Sequence, residues 1–294
     1  MIRKATLEDA PALLALANQH ELRVDPDFEI YPLSEIEEQI TGVAEPGHPF
    51  VLEDAGIKVA VFIHPQPSRK RVEIDLFTIG NPEQTKELFG FALDYARKTF
   101  PGFSIRSSCN KLDTELLEIF EASGLTFYRD YYKLLKQPIE KGFPSLPAGV
   151  EVRAVSLTSH AELLHDLESK SFADHFGYVP VAFDDWLKER AASKTADPQG
   201  SFIVYVNQLP VGCLLSSDFR ADVQGGWVDK LGVLAEFRGQ GLGKLLLKWG
   251  IAHAAQKGYT SIALGADTGN ESGALELYFG LGFTEQLSWR AYSD

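Results

Sequence analysis

The chain has 294 residues, 45% hydrophobic and 23% charged, with a net charge of −13. That make-up excludes disordered and fibrous classes and suits one large folded domain or two of ordinary size. The negative charge argues against nucleic acid or an anionic membrane as partner and favours cationic ligands, unless it serves solubility alone. Cys109 and Cys213 are too few for a disulfide framework, and Cys213, in the apolar run VGCLL, reads as a buried reduced thiol.

The N-terminus MIRKATLEDAPALLALANQH has no apolar signal core, and no run approaches about eighteen apolar residues, so a cytoplasmic protein is expected. A short strand from Ile2 leads through a polar turn into a helix carrying Leu13 and Leu14. FVLEDAGIKVAVFIH reads as a hairpin turning at DAG, and VEIDLFTI (72–79) as a strand followed by GNPEQTK. The half closes with IFEASGLTFYRDYYKLL (119–135). KQPIEKGFPSLPAG (136–149) has three prolines and two glycines and reads as a linker.

The second half repeats this order. A strand from Val152 precedes a helix over 159–169 that carries Leu163 and Leu164 at matching offsets. The loop SFADHFGYVP and a helix over 183–193 follow. SFIVYV and VGCLLSS flank the turn NQLP, and GWVDKLGV (226–233) is the next strand. After a glycine-rich loop come a helix to about Lys257, the strand TSIALGA (260–266), a helix over 271–281 and the closing strand FTEQLSWRAY. A period of about half the chain is a domain duplication, since solenoid repeats are far shorter. The expected architecture is mixed α/β, with a domain over 1–137, a linker over 138–149 and a second domain over 150–294.

In VLAEFRGQGLGKLLL (233–247) three glycines alternate between a strand and a helix. The spacing excludes a Walker A loop, because Leu245 follows Lys244 where a hydroxyl is needed, and it excludes a dinucleotide fingerprint. Orphan amides at the helix start, backbone free of Cβ atoms, and the charges of Arg238 and Lys244 make an anion site suited to a pyrophosphate. The alternative is a tight turn with no ligand.

VDKLGVLAEFRGQGLGKLLL resembles motif A of the GCN5-related N-acetyltransferases (GNAT), with Arg238, Gly241 and Gly243 in register. NESGALELYFGLGF (270–283) is similar to the second signature of that family, through Asn270, Ala274, Leu277, Tyr278, Gly282 and Phe283. The tandem layout is similar to that of mycothiol synthase and related two-domain acetyltransferases. The resemblance implies two GNAT-like domains, each a mixed, mostly antiparallel sheet flanked by helices, and acetyl-CoA as cosubstrate with no metal. It implies that Arg238, Gly239, Gln240, Gly241, Leu242, Gly243 and Lys244 hold the pyrophosphate. Leu231, Gly232 and Val233 would meet the pantetheine arm in a slot where their strand splays from the next. Asn270 would touch the arm, and Tyr278 would sit near the sulfur.

Asp229, four residues before Val233, is a candidate base. Strict alternation puts it on one face with Leu231 and Val233, where apolar neighbours would raise its pKa. A hydrogen-bonded or solvent-facing aspartate is the alternative. Asp174 and His175 lie where the family shapes its amine pocket, or else they only lock their own loop. Trp186 and Trp227 read as core or pocket wall. In the first half GNPEQT lacks the basic residue and two glycines, and Phe120 stands where Tyr278 stands, so that domain is expected not to catalyse.

The expected activity is acetyl transfer from acetyl-CoA to a primary amine, of a small metabolite in the first instance. A protein or peptide amine, or a non-catalytic acyl-CoA-binding role, are the alternatives. The expected protein is a monomer or homodimer with no nucleic-acid or membrane partner.

Overall fold

The computed structural model describes residues 1–41, 47–197, 199–270 and 272–294. In chain order the first elements are β1 (Ile2–Lys4), α1 (Ala10–Val24), α2 (Leu33–Thr41), β2 (Pro49–Glu53), β3 (Ile57–Gln66), β4 (Arg71–Thr78), α3 (Pro82–Thr99), β5 (Ser104–Asn110), α4 (Thr114–Ala122) and β6 (Thr126–Lys136). The rest are β7 (Val150–Ala154), α5 (Leu157–Ser171), α6 (Phe183–Ala192), β8 (Phe202–Val206), β9 (Leu209–Arg220), β10 (Gly225–Val233), α7 (Leu242–Gln256), β11 (Ser261–Asp267), α8 (Ala274–Gly280) and β12 (Thr284–Ser293). The helix expected over 271–281 is α8, and Glu271 lies outside the described residues.

The chain divides into two compact units, Met1–Tyr131 with Leu287–Asp294, and Tyr132–Gln286. No helix or strand lies between Lys136 and Val150, where the linker was expected. The unit boundaries nevertheless fall elsewhere than at 137 and 150. Residues 132–149 pack with unit 2, and 287–294 with unit 1. A strand belongs to the sheet whose edge it pairs, and linker composition cannot reveal which edge that is.

Unit 1 orders its strands β1-β2-β3-β4-β5-β12. Trp289 to Ser293 of β12 run antiparallel to Asn110 to Arg106 of β5. Among the described residues of this unit the β4–β5 pair alone is parallel, because α3 crosses over between them. Alternation along β4 sends Val72, Ile74 and Leu76 into a core with Leu88, Phe89 and Ala92 of α3. A second core under α1 and α2 joins Leu13, Leu16 and Ile36 to Val51, Phe62 and Phe77.

Unit 2 orders its strands β6-β11-β10-β9-β8-β7. Neighbours from β7 to β10 are antiparallel, and β10–β11 is parallel across α7. Leu242, Leu246, Leu247 and Ile251 of α7 cover one face with Leu214, Val228 and Ile262. On the other face α5 and α6 bring Leu164, Leu167 and Trp186 against Cys213 and Leu215. Cys213 is a free thiol, and burial pushes its pKa up to about 12. Among the described residues no helix is long and apolar enough to cross a membrane.

The crossover helix of unit 1 is sealed at its start. Asn81 Oδ1 accepts the Gln84 amide at 2.9 Å, Gln84 Oε1 accepts the Asn81 amide at 3.2 Å, and Pro82 has no amide to satisfy. Replacing Asn81 by Ala should cost about 1 kcal/mol in urea unfolding, and Asn81→Ser a fraction of that. Equal losses for the two variants would show that the cap contributes nothing.

Candidate active site

In unit 2 the corresponding turn is open. After β10 a 3-10 turn over Ala235–Phe237 carries the chain into Gly239 and Gly241, with φ of 75° and 79°. A Cβ at either glycine would meet nothing within 4 Å. These two glycines therefore serve backbone conformation, since an L-residue in the left-handed region costs about 1–2 kcal/mol. Gly243 differs: a Cβ there would make ordinary contacts, 3.6 Å from Leu277 and 3.9 Å from Val233, so nothing among the described residues requires glycine. The first helical bond runs from Leu245 N–H to Gly241 O at 3.0 Å. The preceding amides of Leu242, Gly243 and Lys244 meet no acceptor among the described residues.

Beside this turn the sheet parts. The parallel pairing of β10 with β11 runs from Gly225↔Ser261 to Val228↔Leu264 and stops, although β10 continues to Val233 and β11 to Asp267. Val233 stays paired with Gly212 of β9 on its other side. A gap thus opens between Asp229–Val233 and the end of β11. Gly232, at this gap, is required by packing. A Cβ there would lie 2.1 Å from Ser171 Oγ at the end of α5.

Asp229 sits at a β-bulge. Val228 pairs with Ser216 and Lys230 with Leu215, so Asp229 is an extra residue against β9. The bulge breaks the alternation expected along this strand. Leu231 and Val233 pack with Val228 in the α7 core, whereas Asp229 turns to the face of α5 and α6. The expectation that Asp229 shares a face with Leu231 and Val233 is therefore corrected. Its Oδ1 accepts from Ser217 Oγ at 3.1 Å, and its Oδ2 lies 3.8 Å from Arg190 Nη1. Burial raises the Asp229 carboxyl above its ordinary range, while Arg190 and Ser217 draw it partly back.

Sequence reasoning missed the other half of this cluster. Glu168 is buried on α5, and its Oε2 accepts from Trp186 Nε1 at 3.0 Å and Arg190 Nη2 at 3.2 Å. A signal was present: Leu164, Leu167, Glu168 and Ser171 form one buried helical stripe, so an acid interrupts an apolar face. Trp186 belongs to the core and Trp227 is half-buried, edge-on to Phe219.

Arg238 and Asp174, expected in separate roles, are partners. The Arg238 guanidinium makes four hydrogen bonds, two to the Asp174 carboxylate at 2.6 and 3.0 Å and the others to Ser171 O and Val233 O. Its backbone amide is also used, donating to Ala235 O. His175 is turned to its own loop, Nδ1 donating to Phe176 O at 3.0 Å. Asn270 Oδ1 accepts the Ser272 amide and closes the turn before α8. Tyr278, on α8, packs beside Phe283 and its hydroxyl has no side-chain partner among the described residues. Burial alone pushes its pKa up to about 12.

The matching position of unit 1 is different in kind. Phe120 is fully buried, with ring centroids 5.0 Å from Phe89 and 5.8 Å from Tyr292. Gly80 N–H is taken by Thr78 Oγ1, and the Asn81–Gln84 cap holds the amides of those two residues.

A sheet that parts beside a glycine turn and an uncapped crossover helix agrees with what the GNAT resemblance implies, and comparison with known proteins adds to it. Residues 161–283 match the Acetyltransferase (GNAT) family. Residues 161–283 are thus similar to a GNAT domain, and the whole chain has the fold of tandem GNAT proteins. It is similar to the mycothiol acetyltransferase of Kocuria rhizophila, 32% identical over 55% of this chain and 56% of that protein. The likeness to the enzyme of that name from Streptomyces griseus is 27%, over 69% of this chain and 66% of that protein. The match to the first of these relatives spans little more than half of its length. By structure, the chain resembles a GCN5-related N-acetyltransferase from Sphaerobacter thermophilus, with a TM-score of 0.81 at 17% identity over 100% of this chain and 95% of the other. It also resembles a tandem GNAT protein from the clavulanic acid biosynthesis pathway, with a TM-score of 0.74 at 14% identity over 100% and 98%.

The close packing at Gly232 yields a test. Gly232→Ala should destabilise unit 2 by about 1–3 kcal/mol through overpacking against α5. Adding Ser171→Gly should recover most of that loss in the same melt, and a double variant no more stable than the single would refute this contact as the cause.

Proposed function

We propose that the chain is a cytoplasmic N-acetyltransferase that transfers an acetyl group from acetyl-CoA to the primary amine of a small metabolite, with the chemistry in unit 2. One observation carries the reading: of two equivalent strand-to-helix turns, unit 1 closes its own with a reciprocal Asn81–Gln84 cap, and unit 2 has no such cap and leaves the amides of Leu242, Gly243 and Lys244 open beside a parted sheet. The pyrophosphate of CoA is the acceptor those amides lack, favoured also by the helix dipole and by Lys244. A glycine at 243 that the fold does not require is explained by close approach of such a ligand. Gln240 on this loop, the backbone of Leu231–Val233 and Asn270 extend the same binding path.

Acetyl-CoA supplies the acyl group already activated as a thioester. The residues must handle two protons. An alkyl ammonium has a pKa near 10.4, so roughly one amine in two thousand is a nucleophile at pH 7. Asp229, raised by burial and facing α5 and α6, takes the proton from the incoming amine, directly or through water. Arg190 and Glu168 hold that carboxylate's surroundings in place. On the other face Tyr278 offers its free hydroxyl to the departing sulfur. With its pKa near 12 against about 8.5 for a thiol, full transfer of its proton is uphill by about 5 kcal/mol. Tyr278 therefore acts as a hydrogen-bond donor to developing charge. The Arg238–Asp174 pair straps the α5–α6 connection to the end of β10, and with His175 shapes the amine side.

Calorimetry with acetyl-CoA should give one site per chain, and Gly241→Glu should weaken it at least about a hundredfold. Two equal sites would refute the reading that the unit 1 turn is sealed. Tyr278→Phe should lower kcat about 10- to 100-fold with unchanged acetyl-CoA affinity. Activity should rise with pH as Asp229 loses its proton, at a midpoint above the ordinary carboxylate range. Asp229→Asn should abolish this acid limb and lower kcat/KM by about 10²–10⁴. Free-thiol release against a panel of amines measures both and identifies the acceptor.

A further inference from the structure

Unit 1 contains a cavity of about 500 Å³ that the reaction in unit 2 does not use. Its floor is the polar face of β3, β4, β5 and β12. Gln66 lies across from Arg71, His64 from Glu73, and Glu73 from Arg106, all by strand register. Tyr131 and Trp289 form one wall, their rings 5.8 Å apart and 21° from parallel.

The charges of this floor are unevenly matched. Arg71 Nε lies 2.7 Å from Glu73 Oε1, and Arg71 Nη2 donates to Gln66 Oε1 at 2.6 Å. His64 Nε2 lies 3.4 Å from Asp75 Oδ2. Arg106 has no carboxylate within ion-pair distance among the described residues. It donates Nη2 to Tyr128 Oη at 2.7 Å and lies 3.9 Å over that ring. The Nε atoms of Arg71 and Arg106 are both buried without an aligned acceptor. For Arg71 the Glu73 contact is therefore an ion pair lacking hydrogen-bond geometry. Burial, with Arg106 adding repulsion, also disfavours the charged form of Arg71.

A merely solvated sheet face would leave its charged groups wet. Here the Arg71 and Glu73 side chains are only 17% and 27% exposed. Two guanidiniums share this floor with Glu73 and Asp75, and Arg106, ion-paired with neither carboxylate among the described residues, presents a fork that suits a ligand carboxylate or phosphate. The parallel aromatic pair offers a flat wall to a ring. We propose that unit 1 carries a second ligand site, for a small organic anion whose carboxylate or phosphate is held by Arg106 and Arg71 and whose ring lies against Tyr131 and Trp289. All the residues involved belong to unit 1, so this site stands or falls independently of acetyl transfer in unit 2.

The test uses the full chain and five probes, glucose 6-phosphate against glucose, 4-hydroxybenzoate against 4-hydroxybenzamide, and inorganic phosphate, followed by calorimetry and ligand-observed NMR. At least one anion should bind at least about tenfold more tightly than its neutral partner, and the tighter of the two identifies phosphate or carboxylate as the head group. Arg106→Gln should remove that preference, Arg106→Lys should keep part of it, and Trp289→Ala should weaken the ring compounds but not inorganic phosphate. An unchanged thermal unfolding transition in each variant certifies the fold. If Arg106→Gln does not fold, the comparison of anion with neutral partner in the native chain decides. Neutral probes binding as tightly as anions, an anion preference that survives Arg106→Gln, or no binding of either anion would overturn the proposal.

Discussion

A helix that follows a strand through a tight turn starts with amides its own carbonyls cannot reach, and the rest of this molecule follows from how they are satisfied. Unit 1 satisfies them with side chains. Asn81, Gln84 and Thr78 accept, Pro82 removes a donor, and the helix start is a finished piece of structure. Unit 2 lacks such side chains and uses glycines that hold the backbone open without covering it. The same β-α-β crossover therefore serves stability in one unit and is available for binding in the other. The aromatic positions agree. Phe120 fills a core, whereas Tyr278 keeps a hydroxyl with no side-chain partner among the described residues.

The bulge at Asp229 has a comparable effect on the sheet. One extra residue carries the carboxylate to the α5–α6 face and leaves Leu231 and Val233 on the α7 face. An acid and a phenol are thereby assigned to opposite faces of a sheet that parts between them. The loop before α6 is fixed by Arg238, whose four hydrogen bonds tie Asp174 and the end of α5 to Val233. Arg238 is thus engaged within the chain as a strap, and in the function proposed above the loop amides and Lys244 would meet the anion.

Much of this was legible from local pattern. Strands with alternating burial, hairpins at DAG and NQLP, and helices with leucines at helical spacing reappear at or near their expected bounds. The glycine turn was legible because its spacing excludes other phosphate loops. What escaped was non-local. Period-2 reading cannot place a bulge, so Asp229 was put on the wrong face. Arg238 and Asp174 are 64 residues apart, and nothing in either neighbourhood announces the pair. Glu168 was overlooked, although an acid on a leucine stripe is a readable anomaly. VEIDLFTI (72–79) reads as a strand, but alternation alone does not tell what Glu73 and Asp75 face.

The division of strands between the units has a consequence for synthesis. The outer partner of β5 is the segment Trp289–Ser293, made only after every residue of unit 2. While the ribosome works through residues 132–286, the β5 edge in unit 1 has hydrogen-bonding groups waiting for a strand not yet made. The half that is translated first is thus finished last. Its completion reports that the other half has been made, and a chain stopped short would expose that edge to chaperones and proteases.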